Sequence, residues 1–132
     1  MSRKPESTFI SSVHRHIPAT LYRMKNNNPF TGGVPDCWYS GAKTDLWVEY
    51  KFLSRIPRTP FSLDLSALQR DWLSGRYLEG RNVAVIIGCA TGGVIFEHLS
   101  WMADVEPREY ERLIQSRAEL ATWIMDYVGA PP

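Results

Sequence analysis

The nine residues Asp45-Leu-Trp-Val-Glu-Tyr-Lys-Phe-Leu53 limit what this chain can fold into. Their apolar and aromatic density is that of a strand in the middle of a sheet, which needs a layer of structure on both faces. Yet Glu49 and Lys51 sit inside it. Side chains alternate along a strand, so Glu49 and Lys51 share one face while Val48 and Tyr50 share the other. A carboxylate and an ammonium are costly to bury unless something compensates them. Pairing them only with each other seldom recovers the desolvation cost.

A second strand, Val34 to Tyr39, precedes a Ser-Gly-Ala-Lys turn, and together with Asp45 to Leu53 it predicts a hairpin. Asp36 on that partner strand can then reach Glu49 and Lys51. Two carboxylates with a carbonyl oxygen are hard-oxygen ligands of the kind Mg²⁺ accepts while keeping waters. A metal ion would compensate the acids, and Lys51 would supply positive charge where a reacting phosphate needs it.

Other elements follow from spacing. Phe9, Ile10, Val13 and Ile17 predict an amphipathic helix over Glu6 to Tyr22, ended or kinked by Pro18. Leu21 to Lys25 can form a short strand before the turn-rich Asn-Asn-Asn-Pro-Phe-Thr-Gly-Gly. The segment Ser54 to Leu65 carries Pro57 and Pro60 and reads as a linker or flap. Ser66-Ala-Leu-Gln69 has capping-box spacing and opens a helix to about Leu78, with Leu68, Trp72 and Leu73 as its apolar stripe. Asn82 to Cys89 is a buried strand, Gly92-Gly93 a turn, and Val94 to Leu99 another strand. Pro107 opens one long helix to Tyr127. The order is that of an α/β (α+β) fold, a mixed central sheet flanked by helices.

At 132 residues and 44% hydrophobic, the chain is expected to be one domain with a single modest core. Cys37 and Cys89, with no leader pattern ahead of them, suggest a reducing intracellular setting and small core residues rather than a disulfide framework. The longest apolar run, Val83 to Ile87, is far shorter than the roughly 20 residues that cross a bilayer, so no membrane partner is expected. The net charge of +1 hides an asymmetry: twelve of the fifteen Lys and Arg residues, against seven of the fourteen acids, lie between Met1 and Arg81. A one-sided positive field suits a polyanion such as nucleic acid, although ordinary solvated surface can produce it too.

Pro35-Asp36, a gap of twelve residues, and Glu49-Tyr50-Lys51 resemble the motif of the PD-(D/E)xK nuclease superfamily. The wider string, with Gly32-Gly33 before and the Ser66 to Gln69 helix start after, is similar to the VRR-NUC branch and its small phage nucleases. The likeness runs from Glu6 to about Phe96. It implies a restriction-endonuclease-like αβββαβ core of residues 6–99, with the C-terminal helix outside it. It also implies Mg²⁺-dependent hydrolysis of DNA phosphodiesters, Mn²⁺ substituting, often by a homodimer on branched DNA such as Holliday junctions. The cytoplasm would be the setting, that of the host if the gene is a phage's.

Carried onto this chain, the resemblance makes Asp36, Glu49 and the Tyr50 carbonyl the metal ligands. Lys51 would orient the attacking water and stabilise charge on the phosphorane. Gln69 either contacts the site from the side or only closes the capping box. Glu6 is a further candidate near the metal, or else a helix-start glutamate favoured by the dipole. Arg55, Arg58, Lys43 and Arg70 are the candidate DNA contacts. A non-catalytic DNA-binding or assembly module on the same fold is the alternative, disfavoured by the intact triad.

Rival signals are weaker. His14 and His16 do not face each other on a helix, so they read as surface imidazoles. Cys89-Ala-Thr-Gly-Gly lacks the Gly-Lys-Ser/Thr ending of a phosphate loop and reads as a hairpin turn. Trp38, Tyr39 and Trp47 could stack on bases, though aromatics beside buried strands are more often core.

Overall fold

A computed structural model describes residues 3–26 and 32–130. Five strands form one sheet in the order β1 (Tyr22–Lys25), β2 (Cys37–Ser40), β3 (Asp45–Phe52), β4 (Val83–Cys89), β5 (Gly92–Phe96). All neighbours are antiparallel except β3 and β4. A parallel pair needs a crossover, and the helix α2 (Ala67–Leu78) provides it. β3 is therefore the central strand that its composition predicts.

The two faces of the sheet have separate cores. Leu46, Val48 and Tyr50 of β3 join Phe9, Val13, Leu120 and Ile124 under α1 (Arg3–His14) and α4 (Arg117–Val128). Val85 and Ile87 of β4 join Leu73, Trp101 and Tyr110 on the other face, under α2 and α3 (Pro107–Leu113). Glu49 and Lys51 point into that second face, as the alternation requires. Both cysteines are free and buried. Among the described residues no helix is long and apolar enough to cross a membrane.

Several boundaries differ from expectation. The first helix ends at His14, not Tyr22, because the segment runs through turns before Pro18. β2 begins at Cys37, so Asp36 sits in a bend just ahead of the strand rather than within it. Gly92 and Gly93 are in β5, and the turn is Ala90-Thr91. Glycine is required there: a Cβ on Gly92, at φ 154, would lie 1.9 Å from the Gln115 carbonyl oxygen that lies against this edge.

The long C-terminal helix is two helices. Gly93 and Gln115 exchange backbone hydrogen bonds of 2.9 and 2.8 Å, drawing Ile114–Ser116 out of helical form. Ser116 and Glu119 then close a new capping box for α4. Leu68 is 63% exposed and lies off the apolar stripe; Leu73 is the buried residue of α2. The predicted Asn-Pro-Gly turn falls largely on 27–31, outside the described residues.

Candidate active site

Antiparallel register pairs Cys37 with Val48, and one step further sets Asp36 opposite Glu49. Directly opposed residues project from the same face. Asp36 is anchored there, its Oδ2 accepting a 2.9 Å hydrogen bond from the Tyr50 backbone N–H. In an extended strand a residue's N–H and C=O point to the same edge. The Tyr50 carbonyl therefore faces the side on which Asp36 lies. Its side chain goes the other way, where Tyr39 and Tyr50 share a buried 2.6 Å hydrogen bond and His14 meets Tyr39 at 2.8 Å.

Glu49 is 2% exposed. Its Oε2 accepts from Gln69 Nε2 at 2.9 Å and lies 3.8 Å from Lys51 Nζ. Gln69 also completes the capping box: its Oε1 accepts from Ser66 N, and Ser66 Oγ accepts from Gln69 N. One side chain thus does both things the sequence allows. Burial first, and then the charge of Asp36, push the Glu49 carboxyl up to about 9, with Glu6 adding to the rise and Lys51 opposing it.

These groups open into a cavity of about 380 Å³ shared by Glu6, Asp36, Glu49, Lys51 and Gln69. Phe52, Leu53 and Ile87 of the sheet side also line it, and one wall is a strap, Phe61 to Asp64, that the sequence pattern did not single out. Phe61 and Val105 exchange backbone hydrogen bonds of 3.0 and 2.7 Å, and Leu63 and Leu65 are buried anchors, which pins the strap in place. Asp64 adopts φ 57, a left-handed conformation that Asp tolerates better than most residues. No local spacing rule could reveal this wall, because its partner Val105 is more than forty residues away.

Other expected residues lie further out. Arg55 and Arg58 are exposed, in the segment between β3 and the strap, and do not line the cavity. Lys43 is in the hairpin turn at the opposite end of β3, its N–H donating to the Val128 carbonyl of α4 at 2.9 Å. Arg70 follows Gln69 on α2 with a buried Nε that has no hydrogen-bond partner among the described residues. Tyr39 is fully buried core, so it offers no ring to a base, whereas Trp38 and Trp47 are half-buried. Among the described residues no three His, Cys, Asp or Glu side chains are grouped to hold a metal on their own.

No protein-family model matches the chain, and no curated protein matches it in sequence. In fold it is similar to Hjc, a Holliday junction resolvase of the archaeal hyperthermophile Archaeoglobus fulgidus. The two share 17% identity and a TM-score of 0.55, over 92% of this chain and 98% of that one. Among the described residues, the mixed five-stranded sheet and its four flanking helices therefore build the same α+β fold as that resolvase.

Proposed function

We propose that the protein is a metal-dependent DNA endonuclease that hydrolyses phosphodiesters in branched DNA, of the VRR-NUC-like kind its motif string resembles. The observation that carries this is Glu49: a buried carboxyl, opposite a second acid and beside a lysine, opening into a solvent-accessible cavity. A structural acid would be fully paired or left at the surface.

The donor set fits a divalent ion. Mg²⁺ commonly takes one or two carboxylates and keeps several waters, so a third acidic ligand is not needed. Asp36, Glu49 and the Tyr50 carbonyl would hold it, with Glu6 as a further candidate, and Mn²⁺ would substitute. When bound, the ion would polarise a phosphoryl oxygen and acidify water. Gln69 holds the Glu49 carboxylate in orientation from α2. Lys51, only 21% exposed along its side chain, keeps an ammonium beside the cavity where charge develops on the phosphate. Its attraction to Glu49 also favours the ionised acid that metal binding requires.

Branched DNA as the substrate is supported by the fold shared with a Holliday junction resolvase and by the basic bias of residues 1–81. Arg55 and Arg58, in the exposed segment after β3, with Arg70 and Lys43, would contact phosphates. A homodimer would let two copies of the single site cut two strands of a junction. Incubation with four-way junction, flap, single-stranded and linear duplex DNA, each with Mg²⁺ or EDTA, tests this. Cleavage of the junction with Mg²⁺ alone is expected. Tight binding without any cleavage would identify a non-catalytic module instead.

A further inference from the structure

On the face of the sheet that carries Glu49 and Lys51, aromatic rings continue away from the candidate site. Tyr22, Trp38, Trp47 and Trp72 follow one another with ring centroids 5.7, 6.0 and 5.5 Å apart. They come from β1, β2, β3 and α2, Trp38 and Trp47 being register partners. Tyr22 is 59% exposed, and the three tryptophans are half-buried. Trp47 and Trp72 pack one side against the core under α2 and leave the rest of their rings accessible, whereas Tyr39, Tyr50 and Tyr110 are completely enclosed.

Trp47 and Trp72, with ring planes at 66°, wall a recess of about 180 Å³. That is below the roughly 300–1,000 Å³ of drug-sized sites and suits one ring system. Its rim is polar, with Arg76 and Arg81 beside Asp45 and Asn82. Arg76 is fixed 5.7 Å over the Trp72 ring by two hydrogen bonds to Glu79, and Arg81 is exposed. Asp45 is oriented by the Trp38 indole N–H at 2.8 Å. Stacking faces, a carboxylate acceptor and guanidinium donors together complement a nucleobase, which has a π-face, edge donors and acceptors, and an attached anionic phosphate. Two arginines on the rim favour such an anion-bearing ring over the apolar surface of a second copy.

Position adds to this. Trp47 precedes Glu49 by two residues on the same strand face, about 7 Å away, or roughly two stacked nucleotide rises. We infer that the Trp47–Trp72 recess binds one unpaired nucleobase of the strand being cut. This rests on the DNA-cleaving role proposed above and adds a recognition element to it. Extruding a base from continuous duplex costs unstacking that a branch point has already met. Stacking is sequence-tolerant, so the recess would favour branched over linear DNA without reading sequence.

The test uses the full chain with Ca²⁺ in place of Mg²⁺, and 5-iododeoxyuridine at the branch point of a four-way junction or at the same position in linear duplex. Photocrosslinks are mapped by mass spectrometry, and affinities are measured for wild type, Trp47→Leu and Arg81→Ala. Crosslinks to Trp47 or Trp72 are expected from the junction alone. Each substitution should lower junction affinity, Trp47→Leu by about five- to a hundredfold, and erase the preference over linear duplex. Arg81 is exposed, so its variant remains informative if Trp47→Leu fails to fold. Wild-type junction affinity in both variants, with crosslinks elsewhere, overturns the inference and leaves the nuclease role standing. No binding of either DNA by wild type overturns both. A dimer that dissociates in the variants, with no crosslink at the recess, would make this face an interface between copies and also overturn the inference.

Discussion

Gln69 donates from Nε2 to Glu49 Oε2 at 2.9 Å while its Oε1 accepts from the Ser66 N–H at 3.0 Å. A single carboxamide therefore ties the start of α2 to the buried acid of β3. Gln69→Ala should keep the Ser66 Oγ cap on the residue 69 backbone N–H but lose the side-chain half of the capping box and the orienting hydrogen bond together. We expect about 1–2 kcal/mol of lost stability in urea unfolding, with weakened divalent binding by calorimetry. A variant unchanged in both would mean that the Gln69–Glu49 hydrogen bond orients nothing.

Glu49 gives the metal-free protein a definite pH dependence. Its folded-state carboxyl titrates near 9, above the ordinary value of 4.5, so between these values the folded state holds a proton that the unfolded state has released. The stability contributed is complete below about 4.5 and is lost as pH rises towards 9. In EDTA, melting temperature should fall across that window, and Glu49→Gln should flatten the fall. Mg²⁺ affinity should rise with pH, since the ion displaces the proton. An equally steep fall in Glu49→Gln would remove Glu49 as its source.

Much of this was legible in the sequence because it follows from local periodicity. Alternation alone puts Glu49 and Lys51 on one face, and the capping-box spacing alone starts α2 at Gln69's turn. What could not be read depends on distant partners. The break between α3 and α4 answers to the β5 edge at Gly93, although Ser116-Arg-Ala-Glu119 carried a capping-box signal that could have located it. Gly92 and Gly93 look like a turn because the close approach of Gln115 is invisible along the chain. The Phe61–Asp64 wall and the Trp47–Trp72 pair join residues 44 and 25 positions apart, for which no spacing rule exists.

Lys51→Ala should separate binding from chemistry. Its ammonium serves charge that develops in the transition state, so its loss should cost roughly 3 kcal/mol or more of barrier, about a hundredfold or greater in rate. Junction binding should persist. Lys51→Arg should restore little, because the planar guanidinium places its charge differently. Single-turnover cleavage at wild-type rate in Lys51→Ala would remove the residue from the mechanism.

Arg55 and Arg58 are exposed in the segment that directly follows β3, the strand that carries Lys51. Replacing both with Ser should weaken binding similarly for every sequence. The slope of log affinity against log salt should become shallower by up to about two units, one for each phosphate that an arginine no longer neutralises. An unchanged slope from low to moderate salt would return them to solvated surface.

The most direct test of the account is single-turnover cleavage of a four-way junction by wild type, Asp36→Asn and Glu49→Gln, with Mg²⁺ or EDTA. Cutting by wild type in Mg²⁺ alone, and background rates in both variants while folding and junction binding are retained, is the predicted result. A near-wild-type rate in either variant, or undiminished wild-type cutting in EDTA, would contradict it.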